Sequence, residues 1–81
     1  MVWVYLLVSR KDRQARHIGI TDDVDRRLKE HNSGKGGAYS AKYASWELEI
    51  AIRFRDRAKA ERFERYLKSG SGHAFARRHF W

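Results

Sequence analysis

Five residues of this chain have the types and spacing for phosphate chemistry: Tyr5, His17, Arg27, His31 and Glu64. Tyr5 and His17 each set one polar ring into an otherwise apolar run, twelve residues apart, which leaves room for a hairpin return. Arg27 and His31 stand one turn apart on a predicted helix. Glu64 lies four residues from Ala60 and three from Leu67, so it borders an apolar helical stripe. An acid there is costly unless something pairs with it. Lys68, one turn on, is one candidate partner, and a divalent metal carrying a phosphate is another. Brought together, the five would put a carboxylate, a guanidinium, a phenol and two imidazoles in one place.

Two strands and two helices must position them. Val2 to Ser9 is apolar on both faces and reads as a central strand. Arg10 to Ala15 is a charged turn without glycine. Arg16 to Thr21 is the returning strand, and Gly19 inside it marks a close approach by a backbone, a side chain or a ligand. Thr21 or Asp22 is the expected cap of a first helix running to about Asn32, with Gly34 as its stop. Val24 and Leu28 form its buried stripe. Arg26, with Asp22 and Glu30 on either side, reads as a surface residue, and Arg27 has Asp23 within pairing reach. Trp46 to Phe54 alternates, with Leu48, Ile50, Ile52 and Phe54 on one face, and reads as an edge strand. Asp56 caps a second helix over 57–68, which Ser69-Gly70-Ser71-Gly72 ends, and His73 to Phe80 forms a short last helix with Phe75 and Phe80 free to pack.

Length and charge bound the partner. Eighty-one residues predict one domain, residues 1–81. There is no cysteine, which excludes disulfides, zinc–thiolate sites and thiol nucleophiles. No apolar run approaches a membrane span and no signal-peptide pattern opens the chain, so the expectation is a cytoplasmic protein without a membrane partner. The net charge of +8 favours a polyanion, and most of it falls in the last third of the chain. Between Ser33 and Tyr43, three glycines, Lys35, Lys42, Tyr39 and Tyr43 make a basic loop. It reads either as a phosphate wrap with tyrosines that stack on bases or as a mobile connector.

The chain resembles the GIY-YIG nuclease superfamily, in particular its small single-domain bacterial members. Trp3-Val4-Tyr5 stands at the first triplet and His17-Ile18-Gly19 at the second, with His17 where the family prefers tyrosine. Arg27 follows His17 at the family's usual spacing, and His31 stands where many members carry histidine. Glu64, in the Ala60…Glu64…Lys68 pattern, matches the metal-binding glutamate. The phrases from Arg26 to Gly34 and from Tyr66 to Gly72 also recur in these members. Some members carry an asparagine at the position of Ala76.

The resemblance implies an α+β fold, a three-stranded antiparallel sheet flanked by helices in the order β-β-α-β-α-α. It implies metal-dependent endonuclease chemistry on DNA with Mg²⁺ or Mn²⁺. Glu64 would hold the metal, Arg27 would grip a non-bridging oxygen, and Tyr5 would orient or deprotonate water. Cationic neighbours and the metal are expected to lower the Tyr5 pKa, and His31 is an alternative proton relay. His17, expected to titrate near neutrality, would accept a proton or bond the phosphate. Lys35, Tyr39, Lys42, Tyr43 and Lys68 are the expected nucleic-acid contacts.

Two other readings stand beside this one. The chain is alternatively a nucleic-acid-binding module whose centre is weakened by His17, or a docking module that uses the aromatic and basic segment from His73 to Trp81. The paired tyrosines and lysines favour single-stranded or flapped DNA; duplex DNA, branched repair intermediates and RNA stay open.

Overall fold

A computed structural model describes residues 1–81. Its elements are β1 (Val2–Ser9), β2 (Arg16–Thr21), α1 (Val24–Asn32), α2 (Ala38–Lys42), β3 (Trp46–Phe54), α3 (Arg57–Leu67) and α4 (Gly70–His79). The sheet order is β2-β1-β3, antiparallel throughout. The predicted α+β architecture therefore stands, with β1 central and β3 at an edge. One element is added, the short helix α2. No helix is long and apolar enough to cross a membrane.

β1 is apolar on both faces because each face has its own core. Val2, Val4 and Leu6 pack with Ala60, Leu67 and Ala76 beneath α3 and α4. Tyr5 and Leu7 pack with Ala15 and Trp46 on the opposite face, against Leu28 of α1. Burying each of the larger aliphatic side chains contributes ~1.5–3 kcal/mol, so the central strand anchors both layers.

The hairpin tip needs no glycine because side chains organise it. Ser9 Oγ accepts from the backbone N–H groups of Lys11 and Asp12, and Asp12 Oδ1 accepts from Gln14 N. Arg10 and Arg13 both pair with Glu47 across the sheet. Those two guanidinium groups hold the exposed Glu47 carboxyl below its usual pKa, with Arg13 the stronger cause.

Several local expectations change. Asp23, not Thr21 or Asp22, caps α1; its carboxylate accepts from Arg26 N, while Thr21 Oγ1 accepts from Asp23 N one turn earlier. Arg26 pairs with Asp22 alone, and Glu30 pairs instead with Arg27. Leu48 leaves the face of Ile50, Ile52 and Phe54. A bulge shifts the β1–β3 register so that Leu6 faces Ile50 while Leu7 faces Leu48, which turns Leu48 toward the α1 side.

Ser69-Gly70-Ser71-Gly72 starts α4 as well as ending α3. Ser69 Oγ caps α4 by accepting from Gly72 N. A Cβ at Gly72 would collide with the Tyr66 carbonyl, so this glycine permits the first turn of α4 to pack on the last turn of α3. Sequence alone reads such a run as a breaker. Here one glycine is a packing contact inside a helix.

Candidate active site

Strand register brings Tyr5 and His17 onto one face. Tyr5 sits opposite Gly19 and His17 opposite Leu7, the next residue on that face of β1. The phenol lies over Gly19, where an added Cβ would fall 2.5 Å from Tyr5 Oη. The close approach expected at Gly19 is therefore the Tyr5 side chain. On the same side of the sheet, α1 delivers Arg27 and His31. Arg27 Nε donates to Tyr5 Oη at 3.3 Å, and His31 Nε2 lies 3.0 Å from the same oxygen. His17 Nε2, at 3.4 Å, stands at the outer limit of a hydrogen bond. The two imidazole rings pack 4.4 Å apart. One phenol oxygen is thus the hub for three side chains that are distant in sequence.

His31 is fully buried and does not reach solvent. Its Nδ1 contacts Ser40 Oγ, and the Ser40 hydroxyl also donates to the His31 carbonyl oxygen at 3.3 Å. The roles follow the tautomer: with the ring proton on Nδ1, Ser40 Oγ accepts it and the hydroxyl proton goes to the carbonyl. In that tautomer Nε2 is the acceptor for the Tyr5 hydroxyl. α2, the helix sequence did not anticipate, exists to place this serine. Trp46 Nε1 donates to Ser40 O at 2.8 Å, and a Cβ at Gly36 would strike the His31 ring. No local pattern marks Ser40, because its partners lie on α1 and β3. A helix of five residues is also too short to show a period.

Electrostatics shift the expected titrations. Burial raises the Tyr5 pKa above its usual value, outweighing the hydrogen bond and charge of Arg27; the negative charges of Glu64 and Glu30 push it the same way as burial. Arg27 does pull the phenol pKa down as expected, but by less than burial raises it. His17 is pushed down to about 4, first by burial and then by the positive charges of His31, Lys68 and Arg27. It does not titrate near neutrality, as its free value suggests, and is neutral there. His31 is lowered by burial and by Arg27, against an opposing pull from Glu30. Arg27 is held charged, chiefly by its bond to Tyr5 and then by Glu30.

Glu64 is 18% exposed and pairs with Lys68 at 2.7 Å. Both candidate partners had been carboxylate-seeking cations, and in the protein alone the ammonium takes the place. No group of three potential metal-ligating acids, histidines or cysteines exists. The donor set is therefore one carboxylate, close enough to Tyr5 for its charge to be felt there. That fits Mg²⁺, which keeps several waters and binds through one or two carboxylates plus substrate phosphates. It does not fit a metal caged by protein ligands alone.

The expected nucleic-acid contacts divide. Lys35 and Lys42 are exposed, and Tyr39 is 47% exposed. Tyr43 is half-buried against the Tyr5–Trp46 core, its ring beside Tyr39 at 4.9 Å and beneath the Lys42 ammonium at 5.2 Å. Its backbone carbonyl accepts from Ser9 Oγ at 2.6 Å. Tyr43 is a packing residue, and Tyr39 is the ring that solvent reaches. Lys68 lies apart from this loop, in a cavity beside His17.

Residues 1–77 match the model of the GIY-YIG catalytic domain. The chain is similar to a UPF0213 protein of Vibrio campbellii, 35% identical over 65 residues, covering 80% of this chain and 61% of that protein. A UPF0213 protein of Halalkalibacterium halodurans is 35% identical over 66 residues, covering 82% and 68% respectively. The chain thus spans about 60% of the first of these relatives and somewhat more of the second. The solution NMR structure of the UPF0213 protein from Bacillus halodurans superposes with a TM-score of 0.53 at 32% identity, covering 91% of this chain and 80% of that one.

Proposed function

The chain belongs to the GIY-YIG catalytic-domain family, and on that footing we propose that it is a metal-dependent endonuclease that hydrolyses DNA phosphodiester bonds. The observation that carries this reading is the Tyr5 hydroxyl, bonded at once to a guanidinium and to an imidazole acceptor. A phenol so held passes its proton to His31 Nε2 as it takes one from an attacking water. Arg27 Nε stabilises the oxygen while charge develops on it. Arg27 Nη1 is occupied by Glu30 at 3.0 Å, and Nη2 makes no protein hydrogen bond. That nitrogen is available to a non-bridging phosphate oxygen. His17, neutral at physiological pH, lines the entry beside Tyr5 and accepts or relays a proton without repelling the cation. Glu64 would hold Mg²⁺ or Mn²⁺, which when bound would supply charge relief at the phosphate.

The test is incubation with end-labelled single-stranded, duplex and branched DNA, and with RNA, in Mg²⁺, Mn²⁺ or EDTA. Metal-dependent products that disappear with Tyr5→Phe and with Glu64→Ala support the nuclease. A second reading, a nucleic-acid-binding module with a weakened centre, is favoured by the raised Tyr5 pKa and by His17 in place of tyrosine. Salt-sensitive binding with no product from any substrate would select it, and recovery of cleavage in His17→Tyr would identify the weakened position.

A further inference from the structure

A cavity of about 420 Å³ opens on the side of His17 that faces α4. Arg16 and His17 come to it from β2, Lys68 from the end of α3, and His73, Arg77 and Trp81 from α4 and the residues after it. No acidic residue lines it. Converging cations repel one another, so a site with this lining is poised for an anion.

Two further observations sharpen this. The Arg16 guanidinium is held over the Trp81 ring, 4.8 Å from its centroid, and Trp81 is itself packed against the core. The arginine is therefore preorganised instead of sweeping through solvent. Arg16 Nε is also buried without a hydrogen-bond partner. A buried, unpaired donor costs about 1–3 kcal/mol, and few such groups persist in folded proteins without a reason.

We propose that this cavity binds a terminal phosphomonoester of a nucleic-acid strand, so that the neighbouring active site is directed to strands that end in a phosphate. The argument is one of charge. Lys68 is offset by Glu64 at 2.7 Å, which leaves the full charges of Arg16 and Arg77. An internal phosphodiester carries a single negative charge, whereas a phosphomonoester carries nearly two at neutral pH, with a second pKa of about 6. The dianion matches the pair of arginines, and the planar fork of each suits its oxygens. His17 and Lys68 border both this cavity and the candidate centre, so a strand end seated here lies beside the residues that would cut it. The proposal rests on the nucleic-acid reading above for its partner.

The test is binding in EDTA, where metal-dependent cleavage is absent and cannot be confused with affinity. Fluorescence anisotropy with the whole chain compares oligonucleotides of one sequence that carry a 5′-phosphate, a 3′-phosphate or hydroxyls at both ends. The expected result is about tenfold tighter binding for one phosphorylated end. In Arg77→Gln and in Arg16→Gln that advantage falls to about twofold or less, while the hydroxyl-ended strand loses less affinity. Equal affinity of all three strands for the wild-type protein would overturn the proposal. So would displacement by inorganic phosphate at the same concentration as the phosphorylated strand, which would make the cavity a free-phosphate site. Cleavage assayed separately keeps the two readings apart. Cutting without end preference removes only this inference, and end preference without cutting removes only the nuclease.

Discussion

Tyr5 Oη and His31 Nε2 lie 3.0 Å apart, and the histidine of this pair is wholly buried. Under the nuclease reading, His31 would therefore act on a substrate only through the phenol, as a positioning and proton-holding residue, with Ser40 against its other ring nitrogen.

Ser40→Ala removes the acceptor for the His31 Nδ1 proton. A buried donor left unpaired costs about 1–3 kcal/mol, so the melting temperature should fall by several degrees, on the order of 4–8 °C per kcal/mol for a domain of this size. Cleavage should drop with kcat and leave KM nearly unchanged, because His31 does not touch substrate. Thermal unfolding and steady-state kinetics check both. An unchanged kcat would remove Ser40 from the proton path.

Gly19→Ala places a methyl group where the Tyr5 hydroxyl now sits. The β2 backbone is fixed by its pairing with β1, so the phenol must move. A displacement of about 1 Å is enough to cost on the order of 100-fold in rate. Cleavage assays beside circular dichroism separate this from unfolding; a folded variant with full activity would contradict the geometry.

Burial keeps the Tyr5 phenol protonated through the neutral range. If the ionised oxygen accepts the water proton, kcat should rise with pH by about tenfold per unit and level off only on the alkaline side. A profile that is flat from neutrality upward would mean that Tyr5 is not ionised before the attack, as in the relay in which the phenol hands its proton to His31 while taking one from water.

Acid should weaken the fold through the histidines. The His17 pKa is about 4 in the folded protein against about 6.5 unfolded. Above about pH 6.5 neither state binds this proton, and stability is full. As pH falls from there toward 4, the unfolded chain binds the proton first, so stability is lost. With discounting for partial exposure, the loss is on the order of 2 kcal/mol. His31 acts in the same direction. Urea unfolding between pH 7 and pH 4 measures the slope, and His17→Gln should reduce it.

Lys68→Ala removes the cation that occupies Glu64. The half-saturating concentration of Mn²⁺, followed by its paramagnetic signal with a non-cleavable phosphodiester present, should fall severalfold, whereas Glu64→Ala should abolish that binding. An unchanged value in Lys68→Ala would mean that the ammonium and the metal do not compete.

Much of this arrangement was legible in the chain itself. Alternation in Val2 to Ser9 marked a strand buried on both faces, and the polar rings of Tyr5 and His17 stood out against their apolar runs. Helical spacing put Arg27 and His31 on one edge of α1, and Gly19 announced a close approach. These are local signals, set by the two-residue and 3.6-residue periods of the backbone. What they could not supply was distance across the sheet. The bulge that turns Leu48 away and the choice of Glu30 over Asp23 as the partner of Arg27 depend on how elements meet. So does the desolvation that raises Tyr5 and lowers His17. The Arg16–Trp81 pair belongs to the same class, its partners far apart in the chain, while Ser40 and Gly36 meet the nearby His31 ring only because the intervening loop folds back onto α1. The sequence alone singled out which groups are the candidates for the chemistry. Tertiary packing decided which of them touch and which are dry, because burial and charge act through space and not along the chain.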